Sequence, residues 1–287
     1  MNASIDSTSI HPTAPILVTG GSGTIGRMVV ARLRAAGRTV RVMSRNPHAA
    51  EGIEVMTGDL STGAGVAAAL EGVDVVIHLA GTAKGDGEKA RRLVAAAKAA
   101  GAGSAQVRHI VFISVVGADR VPVTSAIDRA MFGYFAEKRA AEVAIAESGI
   151  PWSTLRATQL FELTAMTSEA MEKLPIIPIP AGVRFQPLAG EEVATRLTEL
   201  ALGSPTRLAE EMAGPEVFDW ADLVRSHLAA SGRRRAIVRV PTVGGAAAAI
   251  RAGANLAPDR AVGRQTWPEF LAARYPDRGV RSAVRGG

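Results

Sequence analysis

The chain has 287 residues, a length suited to one large α/β domain or to a domain with a modest second lobe. An apolar content of 47% supports a sizeable core and excludes global disorder. The lack of any cysteine removes disulfides, thiolate metal ligands and a cysteine nucleophile together. The net charge of +6 is unevenly placed, because from Arg225 onward twelve arginines stand against Asp259, Glu269 and Asp277. That region, Arg233-Arg234-Arg235 included, has few interleaved aromatics and no nucleic-acid motif, so it reads as a solvated basic surface with no nucleic-acid partner. The five histidines are scattered without ligand spacing, and no metal is expected. Residues 1–14 lack the pattern of a signal peptide and read as a flexible leader, with 278–287 as a flexible basic tail. The run Leu174 to Val183 is interrupted by Pro175, Pro178 and Pro180, so no membrane span and a cytoplasmic protein are expected.

The elements begin with Ile16-Leu17-Val18, a short apolar strand, followed by Thr19-Gly20-Gly21-Ser22-Gly23-Thr24-Ile25-Gly26. The glycines satisfy both G-x-G-x-x-G and T-G-x-x-G-x-x-G. A strand before and a helical run after give the context in which backbone amides and a helix N-terminus bind a pyrophosphate. Thr24 to Ala36 has helical periodicity on Ile25, Val29, Val30 and Leu33, and Gly37 closes it. Thr39 to Ser44 is a second strand ending in Ser44-Arg45. An acidic residue there would accept from the adenosine 2′-hydroxyl, whereas arginine accommodates a 2′-phosphate, so NADP(H) is favoured over NAD(H).

Ile53 to Thr57 is a third strand closed by Gly58-Asp59-Leu60, and helical spacing returns over Val66 to Leu70. Val73 to Gly81 contains the clearest buried parallel strand, Asp86 to Ala100 is an amphipathic helix, and His109 to Ser114 is a fifth strand. Strict alternation predicts an α/β fold: a Rossmann-type doubly wound, mostly parallel sheet, with a small C-terminal lobe that the resemblance given below implies lies on the substrate side. The boundaries follow as 15–156 for the dinucleotide-binding core and 157–277 for the lobe with late core elements. Gly20, Arg45, Asp59, Ala80-Gly81 and Ser114 all fall at carboxyl ends of strands, where such sheets bind ligands.

Ala130 to Glu147 reads as a helix carrying Tyr134 and Lys138, four residues apart and therefore on one face. A neighbouring ammonium lowers a phenol from its ordinary pKa of about 10, and the pair suits proton transfer to a carbonyl oxygen as hydride arrives. Pro151 to Leu155 is a sixth strand. Gln159 to Glu172 is a helix whose Leu160, Phe161, Leu163, Met166 and Met171 serve as core or, together, as an apolar pocket lining. Val183 to Pro187 is extended, with Arg184 facing either cleft or solvent. Glu191 to Leu202 and Asp219 to Ala230 are amphipathic helices, the latter with Asp219 as N-cap.

From Ile16 to Gln265-Thr266-Trp267-Pro268-Glu269-Phe270 the chain resembles the short-chain dehydrogenase/reductase superfamily, within it the atypical NmrA-like branch. The resemblance rests on the glycine turn, Ser44-Arg45, Gly58-Asp59-Leu60, His78-Leu79-Ala80-Gly81, Ser114, Tyr134-x-x-x-Lys138 and Gly149 to Arg156. It implies pyrophosphate contact from Gly20 and Ser22 through Gly26, adenine contact from Asp59 with Leu60 beside it, and ribose and nicotinamide contacts along Leu79, Ala80 and Gly81. Tyr134 is implied as general acid and Lys138 as the holder of the nicotinamide ribose. The superfamily's substrate-binding serine usually lies shortly beyond the fifth strand, so Ser114 at the strand end serves either substrate or cofactor, with Thr124 and Ser125 as alternatives. The superfamily's N-A-G is here Leu79-Ala80-Gly81. The expected function is an NADPH-dependent oxidoreductase acting on an apolar or aromatic carbonyl, quinone or enone. The alternatives are a non-catalytic NADP(H)-sensing regulator, as in some members of that branch, and an epimerase with retained NAD, which Arg45 disfavours. A small-molecule substrate, a monomeric or homodimeric state and no membrane partner complete the expectation.

Overall fold

A computed structural model of the protein describes residues 14–47, 51–82, 84–100 and 106–276. The leader (save Ala14) and the basic tail expected above lie outside the described residues. The chain divides into two compact units, each discontinuous in sequence: Met1–Ser114, Glu137–Leu155 and Val193–Ala209 form the first, and Val115–Ala136, Arg156–Glu192 and Glu210–Gly287 the second.

The chain opens with strand β1 (Ile16–Thr19), helix α1 (Thr24–Ala35), β2 (Val40–Ser44), β3 (Glu54–Thr57), α2 (Val66–Leu70), β4 (Val75–His78), α3 (Asp86–Ala100) and β5 (His109–Val115). It continues through α4 (Ala126–Ala146), β6 (Trp152–Ala157), α5 (Phe161–Met171), β7 (Ile176–Pro180), β8 (Arg184–Phe185), α6 (Gly190–Leu202) and β9 (Arg207–Leu208). The last elements are β10 (Phe218–Asp219), α7 (Trp220–Ala230), β11 (Ala236–Val240), α8 (Gly245–Arg251), a 3-10 turn at Pro258–Arg260 and α9 (Trp267–Arg274).

In the first unit the seven-stranded sheet runs β3-β2-β1-β4-β5-β6-β9. β1 pairs in parallel with both β2 and β4, in register Ile16 with Val40 and with Val75. The strand order therefore reverses between β1 and β4, and the crevice outside their carboxyl ends is the switch point at which open α/β sheets take ligands. Ile16, Leu17, Val18, Val75, Val76 and Ile77 are fully buried, as expected of strands covered on both faces. On α1 the residues Ile25, Gly26, Val29, Val30 and Leu33 form the buried stripe. Gly37 ends that helix at φ +71°, and the Arg38 amide donates back to the Leu33 carbonyl.

The second unit contains the two-stranded sheets β10-β8 and β11-β7. Phe161, Trp267 and Leu271 anchor one of its buried clusters, and Ile177, Ile179 and Val224 another. Asp219 caps α7 by accepting from the Ala221 amide, as the sequence predicts. Two readings differ. Helix α4 begins at Ala126, four residues before the expected start, because Ser125 and Asp128 cap each other there. Leu163 and Met166 are half exposed on α5, so the expected apolar lining is not uniformly buried. Strand β7 forms in spite of Pro178 and Pro180, which a strand with only one partner tolerates.

Candidate cofactor and active site

The turn after β1 is shaped by close backbone approach. Gly20 has φ +72°, and a Cβ there would stand 2.8 Å from the Ala80 nitrogen and 2.9 Å from the Leu79 carbonyl carbon. At Gly26 a Cβ would meet the Gly20 carbonyl oxygen at 2.1 Å, so the first turn of α1 packs directly on the loop. The N-cap of α1 is Gly23, no side chain caps it, and no acidic residue occupies its first turn. Its amides and the positive end of its dipole are left for an anion. Ser22 and Thr24 lie in this turn, and Arg27 Nη1 donates to the Ser22 carbonyl at 2.7 Å.

At the end of β2, Ser44 Oγ donates to the Asn46 carbonyl at 3.1 Å and Arg45 is exposed. The Gly58 amide donates to the Ser44 carbonyl at 3.0 Å, bringing Asp59 alongside. Asp59 accepts from the Ser61 amide at 2.7 Å. That bond, aided by the charge of Arg45, holds its carboxyl below the usual range. Leu60 turns its side chain into the core of this unit.

The end of β4 is locked to β1. The Leu79 amide donates to the Thr19 carbonyl at 3.1 Å, and Thr19 Oγ1 shares a 2.7 Å hydrogen bond with His78 Nδ1. His78 stacks on Phe112 with ring centroids 5.4 Å apart. Burial, reinforced by the charge of Lys138, pushes the His78 pKa down to about 3, so the ring is neutral at ordinary pH. Beyond it the Gly81 amide donates to the Leu79 carbonyl at 2.9 Å in a tight turn.

Lys138 meets this turn from α4. Its ammonium lies 3.2 Å from Asp86 Oδ2, donates to the Ile113 carbonyl at 3.3 Å and sits 5.1 Å from the centre of the Phe112 ring. A Cβ on Gly81 would come within 2.9 Å of that ammonium. Burial lowers the Lys138 pKa, and the Asp86 carboxylate opposes the shift. Lys89 Nζ is 3.3 Å from Asp86 Oδ1 and also donates to Thr82 Oγ1. Ser114 is buried at the end of β5, and its hydroxyl has no hydrogen-bond partner among the described residues.

The first unit therefore gathers the glycine turn, Ser44, Arg45, Asp59, Leu79, Ala80, Gly81, Ser114 and Lys138. Tyr134 lies one turn before Lys138 on α4, is 37% exposed and belongs to the second unit. Ser125 uses its hydroxyl to cap α4 through Asp128 at 2.8 Å, and the Thr124 carbonyl accepts from Arg129. Arg184 is exposed, with Nη2 3.4 Å from the Arg251 carbonyl. Asp86, Lys89 and Thr82 were not singled out by the sequence. The available signal was two charges, Asp86 and Lys89, on the same helical stripe as buried Ala90, Leu93 and Ala97.

The chain is 34% identical over 145 residues to (4-alkanoyl-5-oxo-2,5-dihydrofuran-3-yl)methyl phosphate reductase of Streptomyces griseus subsp. griseus, covering 49% of this chain and 46% of the relative. The chain thus spans about half the length of that reductase. It is 27% identical over 233 residues to the NAD(P)H azoreductase of Xenophilus azovorans, covering 76% of this chain and 74% of the relative. Among solved structures, the NADPH-dependent quinone oxidoreductase QOR2 of Escherichia coli, complexed with NADPH, superposes with a TM-score of 0.73. Its identity is 20%, over 91% of this chain and 99% of that one, and it shows the shared Rossmann-type fold. The family model described as NAD(P)H-binding matches residues 20–174, more than half of the chain, and the chain belongs to that NAD(P)H-binding family.

Proposed function

We propose that the protein is an NADPH-dependent oxidoreductase that reduces an apolar or aromatic carbonyl, quinone or enone. The observation that carries this reading is the meeting, in one unit, of an uncapped α1 N-terminus and a buried ammonium at the carboxyl ends of β4 and β5. The residues fit a dinucleotide. The pyrophosphate belongs at the glycine turn, where Gly20 and Gly26 let the loop pack against Ala80 and the first turn of α1 while the helix N-terminus stays uncapped, and Arg45 supplies the cation for a 2′-phosphate. Asp59, with Leu60 beside it, borders the adenosine, and Leu79 to Gly81 border the nicotinamide ribose. When bound, NADPH supplies a hydride to the electrophilic carbon of the substrate.

Tyr134 then donates its phenolic proton to the substrate oxygen, and the phenol is reprotonated from solvent. Lys138 orients the ribose and favours the phenolate by its charge. Ser114 Oγ, buried and without a hydrogen-bond partner among the described residues, is offered to the ribose or the substrate oxygen. The names of the two curated relatives, a reductase and an azoreductase, and of the quinone oxidoreductase support a reductive reaction. The test is NADPH oxidation with a panel of quinones, enones and aldehydes, wild type beside Tyr134→Phe. Consumption that falls with the substitution supports the reading. NADPH binding with no consumption by any acceptor replaces it with a cofactor-sensing role.

A further inference from the structure

Asp86 is a carboxylate only 1% exposed on the first turn of α3, and it faces two lysines at once. We propose that Asp86 is a positioning residue of the site: it holds the Lys138 ammonium in place beside Gly81 and keeps it charged, with Lys89 as an opposing charge on the same carboxylate. This rests on the reading of Lys138 given above, and it concerns a residue that reading does not use.

Three observations carry it. The two carboxylate oxygens are divided between the cations, Oδ2 at 3.2 Å from Lys138 and Oδ1 at 3.3 Å from Lys89. Gly81 leaves no room for retreat, since a Cβ there would be 2.9 Å from Lys138 Nζ and 3.0 Å from Asp86 Oδ2. Asp86 is the carboxylate seen in an ion pair with Lys138, while the Ile113 carbonyl and the Phe112 ring beside it are neutral. Among the described residues, the charges acting on Lys138 include Asp86 and Lys89 from α3 and Glu142 from its own helix, with the neutral His78 ring on β4. A desolvated ammonium loses its proton easily unless an anion is held against it.

Asp86 also accepts from the Thr82 amide at 2.7 Å, and a purely structural role would end there. An asparagine keeps an oxygen to accept from the Thr82 amide and removes the charge together with the oxygen facing Lys138, so Asp86→Asn separates the two roles. Lys89→Gln keeps the carboxylate and removes the competing cation, testing the same pairing if Asp86→Asn weakens the fold.

The chain has only five lysines, so the side-chain carbons of 13C-lysine-labelled protein can be followed through a pH titration, with Lys138 assigned by its loss in Lys138→Arg. No cofactor or turnover is required. The expected result is a Lys138 midpoint lowered by about one pH unit or more in Asp86→Asn and raised in Lys89→Gln. A midpoint unchanged in both variants, or moved the same way by both, overturns the proposal. In NADPH-dependent turnover the alkaline limb of kcat/KM should move with the midpoint. If the midpoints shift as expected while that limb stays fixed, the role of Asp86 stands and the assignment of Lys138 to the reaction falls.

Discussion

Asp86 and Asp128 are both carboxylates 1% exposed on the first turn of a helix, one in each unit, yet their partners differ in kind. Asp128 is satisfied by neutral donors: the Ser125 amide at 3.1 Å, the Ser125 hydroxyl at 2.8 Å and, through Oδ1, the Ala246 amide at 3.1 Å. One side chain thus ties the start of α4 to the start of α8. Asp86 instead shares its charge between two ammonium groups. A carboxylate paired only with amides and a hydroxyl serves the fold, because its partners have no second state. One paired with lysines holds charges that can act on something else.

The sharpest way to break this contrast is to remove one partner from each site. Lys138→Met is expected to lower kcat for NADPH-dependent reduction by about 100-fold or more while the protein stays folded, because Asp86 keeps Lys89 as a countercharge. Steady-state kinetics beside a thermal melt check both halves, and unchanged kcat would remove Lys138 from the reaction. Asp128→Ala should do the reverse, lowering Tm by several degrees through the lost caps and leaving kcat of the folded protein near wild type.

Acid separates the two sites further. Burial holds His78 at about 3 and His109 at about 4, both below the ordinary 6.5 of histidine. The unfolded chain therefore takes up protons below about pH 6.5 that the folded chain refuses. Stability is complete above that value and falls as pH drops toward 4, by up to about 1.4 kcal/mol per unit for each histidine. The Asp128 carboxyl is held below its ordinary value by the Ser125 hydroxyl, so its contribution is present above about 3.8 and is lost only as pH falls further. Urea midpoints at pH 7, 6, 5 and 4 should decline from the first step, and less steeply in His78→Leu. Equal slopes for the two proteins would show that His78 is not refusing a proton.

The smallest effect is expected at Arg45→Ala, where KM for NADPH should rise about tenfold and that for NADH should hardly change. Equal changes for both cofactors would mean that Arg45 does not read the 2′-phosphate.

Much of the first unit was legible because its signals are local. The strands β1 to β5 are short apolar runs, the helices between them have periodic stripes, and Gly20 and Gly26 sit where backbone crowds backbone. The second unit was less so. Strand β7 alternates buried Ile177 and Ile179 with exposed Ile176 and Pro178, but its prolines mask the pattern, and its partner β11 lies far along the chain at Ala236–Val240. Helix α9 carries a capping box, Thr266 with Glu269, which four residues announce but which an apolar scan passes over. In the site, Lys138 stood out through its spacing from Tyr134. Asp86 could be found only once the fold had brought α3 beside α4, since nothing in the sequence marks a carboxylate as the partner of a lysine 52 positions away.

The interleaving of the two units has a practical meaning for anyone wishing to exchange one of them. Neither unit is a single stretch of gene, so no pair of cuts excises the cofactor-binding part intact. A fragment stopped after β6 would lose Val193–Ala209 and with it β9, exposing the edge of β6 and leaving Ser153 Oγ with its His109 partner but without the Thr206 amide, which donates to it at 3.0 Å. Grafting a new second unit would take three coordinated replacements, at 115–136, 156–192 and from 210 onward.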